Sequence, residues 1–400
     1  MTDWKEYKLA NIIKVKHGYA FKGSFFSKEP TNDILLTPGN FNVGGGFKAD
    51  KFKYYKGDYP KSYILKEGDI IVTMTDLSKE GDTLGYSAKI PPHTNIKYLH
   101  NQRLGLLELI DGNFNLDFIY WLLRTREYQQ FIVSSATGTT VKHTSPTRIC
   151  EFEFKAPDYK IQTAIAEILS SLDDKIELNN QINQNLEALA QALFKQWFVD
   201  FEFPKENGEP YKSSGGEMVD SELGEIPKGW EVNTLDKLLT VKYGKDHKHI
   251  GPGEIPIYGS GGVMRYGDKF LYNKISILIP RKGTLSNLFL IEEPFWSVDT
   301  MFYTEIHSDE YAEYLYYQIK SLDLASMNVG SAVPSMTTKV LNQLLILNPN
   351  KTLIEVFHKS TRSILNTINA NKKENENLSI LRDLLLPKLI SGDLSLNLNN

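Results

Sequence analysis

One cysteine among 400 residues, Cys150, excludes a disulfide framework and any structural zinc site built on two or more thiolates. No run approaches the roughly 18 to 20 apolar residues of a membrane span, and residues 1–13 show no basic stretch followed by an apolar core. A reducing, cytoplasmic setting without a membrane partner is expected. No Walker sequence and no Asn/Asp-Pro-Pro-aromatic motif of an amino-methyltransferase occurs. Positive charge is also not in excess: 45 Lys and Arg against 49 Asp and Glu give a net −4, so nucleic-acid contact spread over the whole surface is not expected. The 41 % hydrophobic, 24 % charged and 12 % aromatic residues are ordinary globular usage, and the length predicts two or three domains.

Charge is uneven along the chain. Residues 1–150 carry 20 basic and 15 acidic residues, 151–200 carry 4 and 9, 201–350 carry 14 and 20, and 351–400 carry 7 and 5. Any DNA contact therefore falls to local patches, with a more basic partner supplying further charge.

Two internal repeats organise the sequence. A shift of 226 aligns Trp4, Leu9, Ile12, Val15, Lys16 and Gly18 with Trp230, Leu235, Leu238, Val241, Lys242 and Gly244. A shift of 192 aligns Gly138, Val141, Ile149, Phe154 and Pro157 with Gly330, Val333, Leu341, Ile346 and Pro349. The second copy thus lacks 34 residues, and between the matched ends the copies scarcely resemble each other.

Each copy runs into a long helical segment. Leu169, Leu172, Ile176, Asn179, Asn183, Leu186, Ala190, Leu193 and Trp197 recur at spacings of 3 and 4, the seam of a coiled coil. The helix is expected from about Tyr159 to Val199, roughly 60 Å at 1.5 Å per residue. The shift of 192 gives a second seam of Thr361, Ile364, Ile368, Asn371, Asn375, Leu378, Arg382, Leu385 and Leu389. Pro387 is expected to interrupt this helix and Gly392 to end it. The shared register and paired asparagines favour mutual packing over two unrelated surface helices. Between the matched ends, β-rich runs at Asp69–Thr73 and Ile275–Ile279 and single helices at Asp117–Val133 and Ser308–Lys320 predict α+β domains. The polar stretch 204–227 reads as a linker.

Several motifs fail on inspection. Pro157-Asp158 with Asp173-Asp174-Lys175 has the letters of a metal-dependent nuclease, but the second acid lies in a predicted helix and the duplicate reads Asn348-Pro349-Asn350. Gly259-Ser260-Gly261-Gly262 is not followed by a helical pattern, so a turn or DNA-facing loop is expected there, not a nucleotide loop. His247 and His249 lack a third ligand; with Lys245 and Lys248 they read as a basic loop. Basic residues interleaved with aromatics are more informative: Lys51-Phe52-Lys53-Tyr54-Tyr55-Lys56, Arg265-Tyr266 with Lys269, and Arg281-Lys282. Such clusters can neutralise phosphates and stack on bases; a solvated strand face is the alternative for each alone.

These features together resemble the specificity subunit of a Type I restriction-modification system. The marks are Gly224-Glu225-Ile226-Pro227-Lys228-Gly229-Trp230-Glu231, Leu186-Glu187-Ala188-Leu189 through Phe194-Lys195-Gln196-Trp197-Phe198-Val199-Asp200-Phe201, and the run from Leu384 through Pro387 to Leu394. Ile255–Gly262, Ile279–Thr284, Met74–Ser78 and Asn101-Gln102-Arg103 are similar to target-recognition regions of that family. The resemblance implies an α+β chain with target-recognition domains at 1–157 and 228–349. Long helices, at 158–203 and in 350–400 with its tail, would pack as an antiparallel coiled coil. It implies a non-catalytic protein holding no cofactor or metal, each domain reading half of a bipartite asymmetric site on double-stranded DNA. Two modification (methyltransferase) subunits would carry S-adenosylmethionine, and restriction (motor-nuclease) subunits would cut.

Expected DNA-contacting residues are Lys51, Lys53, Tyr54, Tyr55, Lys56, Ser78, Lys79 and Lys142 in the first domain. In the second they are Lys245, His247, Lys248, Tyr258, Ser260, Arg265, Tyr266, Arg281, Lys282 and Thr284. Leu186, Leu189, Leu193, Phe194, Trp197, Phe198, Leu378, Leu381, Leu385 and Leu389 are expected in the helix pair or its partner surface, the aromatics being exposed. The second domain's net acidity requires its DNA face to concentrate around Lys242–Lys248, Arg265 and Arg281-Lys282. A coiled-coil scaffold without DNA binding, and a self-sufficient DNA methyltransferase, are the rival readings left open by the residues themselves.

Overall fold

The computed structural model describes residues 4–76, 78, 80–324, 326 and 335–396; Gly330 and Val333 of the repeat lie outside them. The chain divides into two compact units. One comprises 1–178 with 374–400, the other 179–373. Each therefore holds a mixed α and β domain, a stretch of the first long helix and a stretch of the second.

In the first unit the opening strand Lys5–Lys8 pairs antiparallel with Glu153–Ala156, the strand just before the long helix, with Lys5 opposite Ala156. In the second unit Glu231–Thr234 pairs with Leu345–Asn348, Glu231 opposite Asn348. These are the same register under shifts of 226 and 192, so the matched ends of the sequence close each domain upon itself. Behind them lies a four-stranded sheet of one order in both units. It runs Ile13–His17, Leu104–Leu109, Ile70–Thr73, Ser87–Lys89 in the first and Leu239–Tyr243, Met301–Ile306, Ser276–Pro280, Phe289–Ile291 in the second.

Pairing registers locate the missing residues. Leu104 faces Thr73 and Met301 faces Pro280, while Ile70 faces Lys89 and Ile277 faces Leu290, so the shift falls from 226 at the opening strands to 207, 201 and 197, then 192 at the closing ones. The 34 residues are lost as 19, 6, 4 and 5, all between shared strands. The largest loss falls before the third shared strand. Strands from that segment build a five-stranded sheet in the first domain, where Asp33–Leu35 pairs with the later Lys97–Leu99, and a three-stranded one in the second, where Ile255–Gly259 pairs with the later Trp296–Ser297.

Gly18 and Gly244 recur for a steric reason. A Cβ on Gly18 would lie 2.0 Å from the Asn101 carbonyl oxygen, and one on Gly244 2.0 Å from that of Val298, closer than any side chain can approach. Their N–H groups donate to Leu104 O and Met301 O at 3.2 and 3.0 Å.

The first long helix spans Tyr159–Phe194 and ends in a wider turn over Lys195–Val199; the second spans Lys351–Ser391. All nine residues of each seam are buried or half-buried. Asp173 binds Arg382 at 2.6 Å and Lys175 approaches Glu374 at 3.3 Å in the first unit; Asn371 Nδ2 donates to Asn183 Oδ1 at 2.9 Å in the second. Partner numbers fall on one helix as they rise on the other.

Three local expectations change. Pro387 sits inside the second helix, not at a break: losing one backbone donor is offset where Leu386, Leu389 and Ile390 enter the first unit's core. Gly392 ends the helix at φ +82°, a conformation glycine adopts freely. The single helix expected over Asp117–Val133 is two, Leu116–Leu122 and Arg126–Ser134, because Thr125 adopts an extended backbone and caps the second through Tyr128 N. The stretch read as a linker is ordered, with a hairpin of Met218–Ser221 and Gly224–Pro227 and Tyr211 stacked on Phe203.

Candidate nucleic-acid interface

The third shared strand delivers its loop to one place in both domains. Met74 N donates to Arg103 O at 2.9 Å and Thr144 N donates to Met74 O at 3.0 Å. In the second domain Arg281 N donates to Thr300 O and Met336 N to Arg281 O, both at 2.9 Å. Thr75 lies opposite His143, and Lys282 opposite Ser335. The runs Met74-Thr75-Asp76 and Arg281-Lys282-Gly283 are therefore equivalent positions of one frame. Sequence reading singled out both runs without seeing their equivalence, since the shift of 207 that relates them appears only in strand pairing.

In the first domain the loop is built on Asp76. Its carboxylate is nearly buried, which alone would raise its pKa. Donation from Ser78 N at 2.7 Å and from the Thr83 hydroxyl at 2.7 Å, with Thr83 N–H, instead holds it below the usual carboxylate range. The Ser78 hydroxyl oxygen accepts from Gly81 N and Asp82 N at 2.9 and 2.8 Å, so Ser78 shapes the loop. Lys142 lies directly opposite Asp76. Lys79, like Leu77, lies outside the described residues.

Lys51–Lys56 belong to a different sheet. Lys53–Tyr55 is a strand between Phe26–Ser27 and Asp33–Leu35. Lys51 and Lys53 are exposed, and Lys56 pairs with Glu29 at 3.1 Å. Tyr54 is half-buried against a core cluster. Tyr55 must be corrected: only 2 % exposed, its ring packs against Phe21, Phe25, Phe26 and Tyr59 and has no face for a base.

In the second domain Ser260-Gly261 is the turn of a hairpin between Ile255–Gly259 and Gly262–Gly267, as the glycine pattern predicts. Asn287 Nδ2 donates to Ser260 O at 2.9 Å, and a Cβ on Gly283 would sit 3.1 Å from Ser260 Oγ. Ser260 and Gly283 thus meet, with exposed Lys282 and Thr284 flanking the glycine in sequence. The Arg281 guanidinium lies 5.3 Å from the Tyr243 ring centre and donates to Asp299 O at 3.2 Å. Tyr243 is half exposed; sequence reading missed it because it stands outside the basic cluster.

Lys245 and Lys248 are exposed. Arg265 donates from Nη2 to the carbonyls of His247 and Ile250, fastening this loop to its own strand. Tyr266 is 53 % exposed. Tyr258 is the second correction: buried in a core cluster, with its hydroxyl pKa pushed up to about 12 by burial, it is a framework residue.

The long-helix residues divide. Phe194, Trp197 and Phe198 were expected to be exposed but pack in the second unit's core against Tyr314, Tyr317 and Phe357. Leu193 packs against the same core. Leu385 and Leu389 join the first unit's core, Leu186 and Leu378 are half-buried, and Leu189 and Leu381 are exposed. The helix surface exposes aliphatic side chains, including Leu178, Ile380 and Leu384, and one aromatic, Tyr159, at the start of the first helix. No group of three or more His, Cys, Asp or Glu able to hold a metal occurs among the described residues, and none of their helices is long and apolar enough to cross a membrane.

A frame used twice, presenting unlike loops from equivalent positions, is the build of a recognition protein. The family model described as "Type I restriction modification DNA specificity domain" matches residues 1–188 and 227–380. The chain belongs to this family as a Type I restriction-modification specificity subunit, and such subunits are non-catalytic. The Type I restriction enzyme HindI specificity subunit of Haemophilus influenzae is 25 % identical over 98 % of this chain and 100 % of its own. The MjaIX specificity subunit of Methanocaldococcus jannaschii is 26 % identical over 70 % of this chain and 69 % of its own. The fold is that of the S subunit from M. genitalium, with TM-score 0.60 and 18 % identity, covering 99 % of this chain and 97 % of that one.

Proposed function

We propose that the domains at 1–157 and 228–349 each read one half of a bipartite asymmetric site on double-stranded DNA. The observation that carries this reading is the single hydrogen-bonded frame, present twice, with different structure inserted at the same points. The long helices, 158–203 and the helix of 350–400, act as an antiparallel coiled coil that spaces the domains, and 204–227 leads into the second. Its support is the seam burial and the opposed partners Asp173–Arg382 and Asn183–Asn371. The exposed aliphatic residues of the helices dock two methyltransferase subunits. Those subunits bring S-adenosylmethionine and additional positive charge, restriction subunits join them, and the assembly works in the cytoplasm.

Within the domains, Lys51, Lys53, Lys142, Lys245, Lys248, Tyr266, Arg281, Lys282 and Thr284 are the groups available to phosphates and base edges. In the assembled methyltransferase, Arg281→Ala with Lys282→Ala weakens DNA binding and lowers the slope of log affinity against log salt by about 0.9 per lost phosphate contact. Loss of a base contact by Arg281 instead relaxes one position at about 1 to 3 kcal/mol. Unchanged affinity, slope and sequence preference in a folded double variant removes this loop from the interface.

A further inference from the structure

The frame equivalence singles out a residue that basic-aromatic patterns miss. His143 is exposed, yet it is held. Its backbone exchanges two hydrogen bonds with Thr137 at 2.9 and 3.1 Å. Its Nδ1 is 3.2 Å from the hydroxyl of buried Thr75. Gly138, at φ +92°, lies against the ring, where an added Cβ would stand 3.5 Å from Cδ2. Imidazoles on solvated loops ordinarily rotate; this one is oriented before any ligand arrives, which reduces the entropy lost on contact.

We propose that His143 is a DNA-contacting residue of the first domain, its Nε2 donating to an acceptor on the DNA. This rests on the specificity reading above. The Thr75–His143 pair occupies the frame position that Lys282–Ser335 occupies in the second domain, so both domains place a basic side chain on the strand pair beside the variable loop. Lys142 adjoins it in sequence. When the Thr75 hydroxyl donates to Nδ1, and equally when the ring is protonated, Nε2 carries a hydrogen. Thr75 is a positioning residue: its buried hydroxyl fixes the ring.

The acceptor is a phosphate oxygen or a purine N7, and one experiment separates them. The assembled methyltransferase is prepared with the wild-type chain, His143→Ala and His143→Gln. Each is mapped for genomic methylation, then titrated with the wild-type site at several salt concentrations, with affinity referred to folded protein by thermal melting. His143→Ala is expected to lose about tenfold or more in affinity, with any change of sequence confined to one half-site; His143→Gln, which keeps a donor at similar reach, recovers part of it. A base contact shows as one relaxed position. A phosphate contact leaves the sequence intact: affinity falls at every salt concentration, and the slope falls by about 0.9 only when the bound ring is the charged imidazolium. Unchanged affinity, slope and sequence in folded His143→Ala overturns the assignment, as does a loss fully accounted for by unfolding that His143→Gln does not relieve. If the wild-type complex itself shows no sequence-specific methylation or binding, the specificity reading fails along with it, an outcome recognisable without any variant.

Discussion

Arg124 in the first unit and Glu313 in the second each sit on the helical part of a domain and reach a long helix, with opposite charge. The Arg124 side chain is 3 % exposed and binds Asp173 at 2.5 Å, and Asp173 also binds Arg382. The Glu313 side chain is fully buried, 2.6 Å from His358 Nδ1 and 3.3 Å from Arg362 Nη1, and that guanidinium also pairs with Glu292. The register of the frame's strand pairing is shared by the two units, whereas the polar chemistry joining domain to helix is not. The backbone pairing is what makes the fold twice, and the buried charges are local solutions that do not transfer between units.

That contrast orders the expected effects. Arg362→Ala strips Glu313 and Glu292 of their guanidinium at once and leaves a buried carboxylate beside His358 alone, a loss of about 3 to 5 kcal/mol by urea unfolding. Arg124→Ala is milder, about 1.5 to 3 kcal/mol, because Asp173 keeps Arg382 and is partly exposed. Equal losses, or the reverse order, would show that burial of the unpaired charge does not govern these joints.

A smaller difference separates the recognition loops. The place of Asp76 in the first is taken by Gly283, at φ +90°, in the second. Asp76→Asn removes acceptor capacity from a nearly buried group at a cost of about 1 to 3 kcal/mol at neutral pH. Because the folded pKa of Asp76 lies below its unfolded value, the carboxylate stabilises fully above about pH 4, and that stabilisation is lost as pH falls through the folded value. The gap between wild type and Asp76→Asn should therefore narrow on acidification, as read by urea unfolding of the first unit at neutral pH and near pH 3. A gap that stays constant would place the effect in packing, not ionisation.

Much of this architecture is legible in the sequence because it is periodic or repeated. The 3 and 4 spacing picks out the least exposed line on each long helix, and the two shifts mark the strands that close each domain. What is illegible is burial on short strands. Lys51–Lys56 alternates basic and aromatic residues whether its rings face a base or a core, and only tertiary packing sends Tyr55 inward. Phe194, Trp197 and Phe198 read as exposed because the long helix gives no sign that a domain will cover its end. His143 carries no sequence signal: it is separated from Thr75 by most of a domain, and the pairing that joins them occupies two residues per strand.

The central claim is that each domain reads its own half-site. Replacing residues 1–157 with those of another family member, chosen to retain a cation at the place of Arg124 so that Asp173 stays paired, and mapping methylated adenines tests it most directly. The account predicts that one half of the methylated sequence changes while the other half is retained. Changes in both halves would contradict it.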